Sequence, residues 1–149
     1  MNTRKLAWSV ALVAALPASA QVQSPEMQAA IARWELLRAN QEQRLSIDPK
    51  SLHTRGADTR FTYLVDFREM QGEIGGKYRS LVVGARLHCK ERQMAVESYE
   101  LYTGATGTGI LLAQPQPSAA EKRLQPLQKG SSDEELYQRV CQGPAAGKK

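Results

Sequence analysis

Few side chains in this sequence could do covalent or metal chemistry. There are two cysteines, Cys89 and Cys141, and two histidines, His53 and His88. A cysteine or serine nucleophile needs a base, itself oriented by a third group. No GxSxG elbow occurs, and Ser80 in Tyr78-Arg79-Ser80-Leu81 lacks that setting. His88 adjoins Cys89, which raises a metal site. Adjacent residues on a strand face opposite ways, however, and no CxxC or HxxxH spacing is present. Gly104, Gly107 and Gly109 resemble a phosphate cradle. That cradle needs a helix N-terminus after the loop, and here a strand follows. Paired carboxylates for glycoside cleavage carry no fixed spacing, so they leave that question to the fold. No catalytic, cofactor-binding or metal-ligating residue is assigned, and the expectation is a protein that is not an enzyme and holds no cofactor.

The chemistry that remains is a disulfide between Cys89 and Cys141. Its warrant is the compartment. Residues 1–20 read as a secretory leader: Arg4 and Lys5, an apolar run over 6–16, Pro17, then Ala18-Ser19-Ala20 before Gln21. Cleavage is expected between Ala20 and Gln21. The apolar run is too short to span a bilayer, which takes about 20 residues. No later segment is apolar enough, so no integral membrane segment is expected after processing. In an oxidising compartment two cysteines have one intramolecular pairing.

Charge offers a weaker lead. The chain carries +5, which falls by two to +3 once Arg4 and Lys5 leave with the leader. That balance points to no nucleic-acid partner. Arg79, Arg86, Lys90 and Arg92 lie near one predicted hairpin and form a candidate basic docking patch for an anionic partner. Glu69, Glu73, Glu91 and Glu97 are interspersed, so a solvated sheet face is the plainer reading.

The elements that would position these residues follow from periodicity. Ser24-Pro25-Glu26 is a helix start, and Met27, Ile31 and Trp34 keep helical spacing. Trp34, Leu36 and Arg38 equally fit one face of a strand. Leu45-Ser46-Ile47 is a short alternating run ended by Asp48-Pro49, since proline cannot donate to a ladder. Residues 59–70 form a strand with Phe61, Tyr63, Val65 and Phe67 on one face. Residues 71–76 are a glycine-rich loop. Over 77–90, Leu81, Val83, Ala85, Leu87 and Cys89 share one face, which marks a half-buried antiparallel strand with Cys89 inward. Residues 93–103 return, and 110–113 add a last short strand. Short loops favour a meander, because parallel strands need long crossovers.

Residues 114–120 are a proline-broken connector. Ser131 to Glu134 and Ser132 to Glu135 have capping-box spacing before a helix with Leu136, Val140 and Cys141. The disulfide would clamp that helix on the sheet. One helix covers only part of a five- or six-stranded sheet, so an exposed face or edge is expected to bind another chain. Residues 142–149 read as a disordered tail.

From about 34 to 141 the chain resembles the surface-adhesin protein E family of Gram-negative bacteria. The resemblance rests on Trp34, Asp48-Pro49-Lys50-Ser51-Leu52, Arg55-Gly56, Leu64-Val65-Asp66-Phe67 and Tyr78-Arg79-Ser80. It continues through Cys89, Leu101-Tyr102, Gly107-Thr108-Gly109-Ile110, and the stretch 126–131 before a helix ending in Cys141. It implies an α+β fold: a mostly antiparallel sheet of five or six strands with a disulfide-linked C-terminal helix packed on it. It also implies that Trp34 begins the first strand, leaving 21–33 as a lead-in with a short helix. The implied partner is a host matrix or serum protein, or an envelope protein; a homodimer is also implied. Gln21 stands where the family adhesin carries a lipid-anchoring cysteine, which favours the periplasm over the outer surface. His88 and Leu124 depart from an expected Asp and an expected aromatic. The function expected is an exported protein–protein interaction module. The alternative is a periplasmic small-molecule or lipid carrier, which would need an enclosed apolar pocket between helix and sheet.

Overall fold

The structure, a computed structural model, describes residues 24–72 and 76–144. The leader, the Ala20–Gln21 cleavage site, residues 73–75 of the glycine-rich loop and residues 145–149 of the tail lie outside the described residues.

Helix α1 spans Pro25–Arg33. Ser24 Oγ accepts the Met27 amide at 3.3 Å, Pro25 takes the first turn, and Arg33 sits in the last turn. Those features satisfy the helix ends and its dipole. Trp34 ends it in extended conformation and leads into β1, Glu35–Ala39. Trp34 is the joint where the helical spacing gives way to a strand, but Trp34, Leu36 and Arg38 do not share one face as their alternation suggested, because a bulge between Leu36 and Arg38 turns Arg38 to the side of α2.

Strand β2, Gln43–Arg55, corrects one expectation. It does not end at Asp48-Pro49. Its pairing with β3, Asp58–Gly72, shifts between Asp48↔Thr62 and His53↔Arg60. The intervening residues form a bulge, one of the places where a sheet tolerates proline. Ser51 bridges the gap: its hydroxyl donates to Asp48 O at 2.7 Å and accepts the Thr62 amide at 2.7 Å. Lys50 donates its amide to Asp48 Oδ1 at 2.9 Å.

Strands β4, Lys77–His88, β5, Gln93–Tyr102, and β6, Leu111–Ala113, complete the order β1-β2-β3-β4-β5-β6. Every pairing is antiparallel, as the short loops require. A seventh strand, β7 at Gln125–Pro126, also pairs with β5 and had no signal in the sequence. The sheet is therefore a meander, with helix α2 at Ser132–Gln142 following it. Helix α2 extends through Gln142, so the tail begins later than expected.

The alternation in β4 sorts the sheet into two faces. Val83, Ala85 and Leu87 join Leu45, Ile47, Phe61, Tyr63 and Met94 in one buried cluster. Leu136 of α2 is fully buried in it, with Tyr137, Val140 and Cys141 packed alongside. Cys89 and Cys141 are bonded, with their Cα atoms 5.6 Å apart. That separation is ordinary for a disulfide. The capping box takes an altered form. Ser131 caps α2 without a side-chain bond to the helix; its hydroxyl donates to Gln128 O at 2.7 Å. Glu134 instead reaches back to the Gly130 amide at 2.7 Å.

Candidate functional site

The opposite face of the sheet is covered differently at its two ends. At one end the loop after β5 folds over it through a 3-10 turn at Ala105–Gly107. Fully buried Ser80 donates to Gly104 O at 2.6 Å and accepts the Gly107 amide at 3.0 Å. Asp66 Oδ1 accepts the Thr106 amide at 2.6 Å, and Trp34 Nε1 donates to Thr106 O at 3.1 Å. Gly107 has φ +68°, and a Cβ there would stand 3.0 Å from Val82 Cγ2. Glycine is thus required by both conformation and space. Burial raises the Asp66 carboxyl above its usual range, against the Thr106 amide and the Arg44 and Arg79 charges, which lower it. The glycines considered for a phosphate cradle are therefore spent on packing, with their loop bonded to the sheet.

At the other end this face is a lattice of ion pairs. Arg60 bonds both oxygens of Glu97 at 3.1 Å, and Arg86 bonds Asp58 at 3.0 Å. Arg60 and Arg86 stand directly opposite each other, a repulsion that these acids offset.

The four residues of the candidate basic patch do not converge. Arg79 lies near the start of β4, where it donates to Phe67 O at 2.8 Å. Arg92 lies in the turn beyond the end of β4, and the strand from Arg79 to His88 alone spans about 30 Å at ~3.3 Å per residue. There its guanidinium bonds Glu134 at 3.0 Å and stacks 4.4 Å over the Tyr137 ring. Arg92, half exposed, is thus engaged with α2. Arg86 is engaged by Asp58, while Lys90 is exposed on the turn beside Cys89.

The edges of the sheet differ more than its faces. The outer edge of β5 is covered at both ends and at Val96. β6 pairs at Leu101 and Tyr102, and β7 pairs at Gln93 and Met94. Between them the Val96 amide donates to Glu121 O at 2.8 Å. Glu121 is itself fixed by Tyr99, whose hydroxyl donates to it at 2.6 Å, and by the Ser118 amide at 2.7 Å.

Among the described residues strand β1, by contrast, pairs on one side only, with β2. Beside it runs an open groove of about 520 Å³ between β1 and α2, lined by Glu35, Leu36, Leu37, Glu135, Gln138 and Arg139 among others. Arg139 grips Glu35 through two bonds of 2.7 and 2.8 Å. Those bonds from Arg139 hold the Glu35 carboxyl below the usual carboxylate range, against a smaller effect of burial. Arg38 reaches Glu135 at 3.4 Å. Both charged side chains of β1 are thereby drawn onto α2, and Leu36, on the other face, is half exposed. The sequence allowed this strand from Trp34, but it did not show the bulge that separates Leu36 from Arg38. It held no sign that α2, about 100 residues later, forms the groove wall. Among the described residues no group of three or more His, Cys, Asp or Glu side chains could hold a metal ion.

The fold is similar to known structures. A crystal structure of protein E from non-typeable Haemophilus influenzae matches with TM-score 0.55 at 16% identity, covering 72% of this chain and 75% of that one. Another structure of Haemophilus influenzae protein E gives TM-score 0.54 at 18% identity, covering 74% and 85%. A second crystal form gives 0.53 at 15%, covering 71% and 91%. At such identities the likeness is one of fold. No curated protein matches the chain significantly. The sequence from residue 34 to residue 142, most of the folded part, matches the family described as surface-adhesin protein E, and the chain belongs to that family.

Proposed function

We propose that this protein is an exported, non-enzymatic module for binding other proteins. The observation that carries the reading is the filled contact between α2 and the sheet. Leu136 is fully buried there among Ile47, Tyr63, Leu87 and their neighbours. A lipid or small-molecule carrier needs an enclosed apolar cavity at that place. Two grooves among the described residues are open, and charged and amide side chains line them beside Leu36, Leu37 and Phe67. Membership of an adhesin family supports the same reading. The partner is a host matrix or serum protein, or another envelope protein, and self-pairing into a homodimer is open to the same surfaces.

No helix among the described residues is long and apolar enough to cross a membrane. The leader over residues 1–20 supports export, with Gln21 as the new N-terminus. Cell fractionation with surface-protease accessibility tests the location. Photo-crosslinking from exposed positions, in the intact cell and with host matrix proteins added, tests the activity. Covalent capture of a discrete protein supports the reading. Absence of any cross-link from all surfaces, with a bound lipid found by native mass spectrometry, would replace it with the carrier.

A further inference from the structure

We propose that the open edge of β1 takes up an extended segment of a partner protein, with a lysine or arginine of that segment paired to Glu135. The inference rests on the protein-binding reading and specifies its site and partner chemistry.

Three observations point to this edge. First, it is open where its counterpart is closed. β5 is covered by β6, by Glu121 and by β7, whereas among the described residues β1 has β2 on one side alone. Second, the charges that would block pairing are held aside. Natural edge strands carry charged side chains that deter a second strand. Here Glu35 and Arg38 are both bonded to α2, at 2.7 and 3.4 Å. Among the described residues nothing pairs with the outer side of β1, and its single bulge, between Leu36 and Arg38, leaves the Arg38–Ala39 end in register with β2. Asn40 donates its amide to Gln43 O at 3.0 Å, so by strand alternation the Ala39 amide points away from β2.

Third, the groove beside this edge contains an unmet acceptor. Glu135 Oε1 takes Arg38, while Oε2 is buried with no hydrogen-bond partner among the described residues. A buried carboxylate oxygen without a donor is costly. The terminal torsion of a glutamate is soft, so a cation entering the groove can claim this oxygen. An added strand places alternate side chains on the two faces, one over the groove and one beside Leu36. The main chain would supply most of the binding and the ion pair the preference.

The test uses two capped five-residue probe peptides of alternating valine and threonine, one with a central lysine and one with a central glutamate. Amide shifts are followed in the 15N-labelled protein. The lysine peptide is expected to shift Glu35–Ala39 and the Glu135 turn of α2. It should bind roughly two- to fivefold tighter than the glutamate peptide, the worth of a partly exposed ion pair. Glu135→Gln should erase that preference and leave the weaker binding. Ala39→Pro, which removes an outward amide and no ladder bond, should abolish both. Shifts confined to other surfaces, or equal binding of the two peptides, would overturn the proposal. So would concentration-dependent self-association lost in Ala39→Pro, which would make a second copy the occupant. Cross-links to a partner captured only from other surfaces would sink this inference and leave the protein-binding reading intact. No captured partner from any surface together with no peptide binding at β1 would sink both.

Discussion

The clamp between Cys89 and Cys141 is the sharpest point at which to perturb this protein. Replace both cysteines with serine. The two positions are 52 residues apart in sequence. Opening a loop of that length returns chain entropy to the unfolded state, and the loop-entropy relation gives about 4 kcal/mol. For a domain of this size that corresponds to a fall in Tm of roughly 15 to 25 °C. The assay can also tell how the loss is distributed. Trp34 packs on the loop face of the sheet, away from α2, and bonds Thr106 O at 3.1 Å. It is the only tryptophan outside the leader. Fluorescence therefore follows the sheet and loop, while far-ultraviolet circular dichroism also follows α2. If helix and sheet form one cooperative unit through Leu136, both signals will move together at the lowered midpoint. A Tm change under 5 °C would refute the entropic argument. A helix signal lost well before the Trp34 signal would refute the single unit and show that α2 detaches on its own.

Other outcomes follow from the same contacts. Leu136→Ala should cost about 2 to 5 kcal/mol in chemical denaturation, because this fully buried side chain would leave a cavity beneath the clamp; a loss below 1 kcal/mol would mean the helix settles into the gap. Ser80→Ala should cost about 1 to 3 kcal/mol by leaving Gly104 O and the Gly107 amide without their buried partner. The same variant should speed amide exchange in the 105–107 turn, and unchanged exchange there would contradict the role given to Ser80. Glu35→Gln should flatten the acid limb of the stability curve. Arg139 depresses the Glu35 carboxyl in the folded state, so its contribution is present above the unfolded value of about 4.3 and is lost as pH falls through the folded one. At pH 7 the variant should lose up to about 1 kcal/mol, since Glu35 is more than a third exposed. Asp66 acts in the opposite sense. Burial raises it, so its penalty appears as pH rises from the ordinary carboxylate range through its folded value, and Asp66→Asn should gain stability at pH 7 relative to pH 4, read by denaturation at the two pH values.

Local chemistry was legible along most of the chain. The two-residue alternation of β4 sorted inward from outward side chains, because strand geometry leaves no third choice. The cysteine count and the leader set one disulfide partner for Cys89, and the structure joins the two. Short loops dictated a meander. The strand wrongly ended at Pro49 shows where local rules stop. Proline does forbid a ladder bond, but Ser51 supplies a replacement hydroxyl from within the bulge. No local pattern encodes that exchange. Strand β7 was missed for a similar reason, since two residues carry no periodicity.

The candidate site was beyond reach of sequence reading. Arg79, Arg86, Lys90 and Arg92 are close in the chain, yet a strand spreads its residues along its length instead of gathering them. Arg92 turned out to serve the helix through Glu134 and Tyr137. Glu35 and Arg139 are 104 residues apart and meet directly. The sequence by itself determined the long strands β3, β4 and β5, the helix starts, the covalent link and the family. The tertiary structure alone decided which edge of the sheet stayed open and which charges were drawn away from it. Strand identity is set by neighbours two residues apart, whereas an open edge depends on what every other segment of the chain has covered.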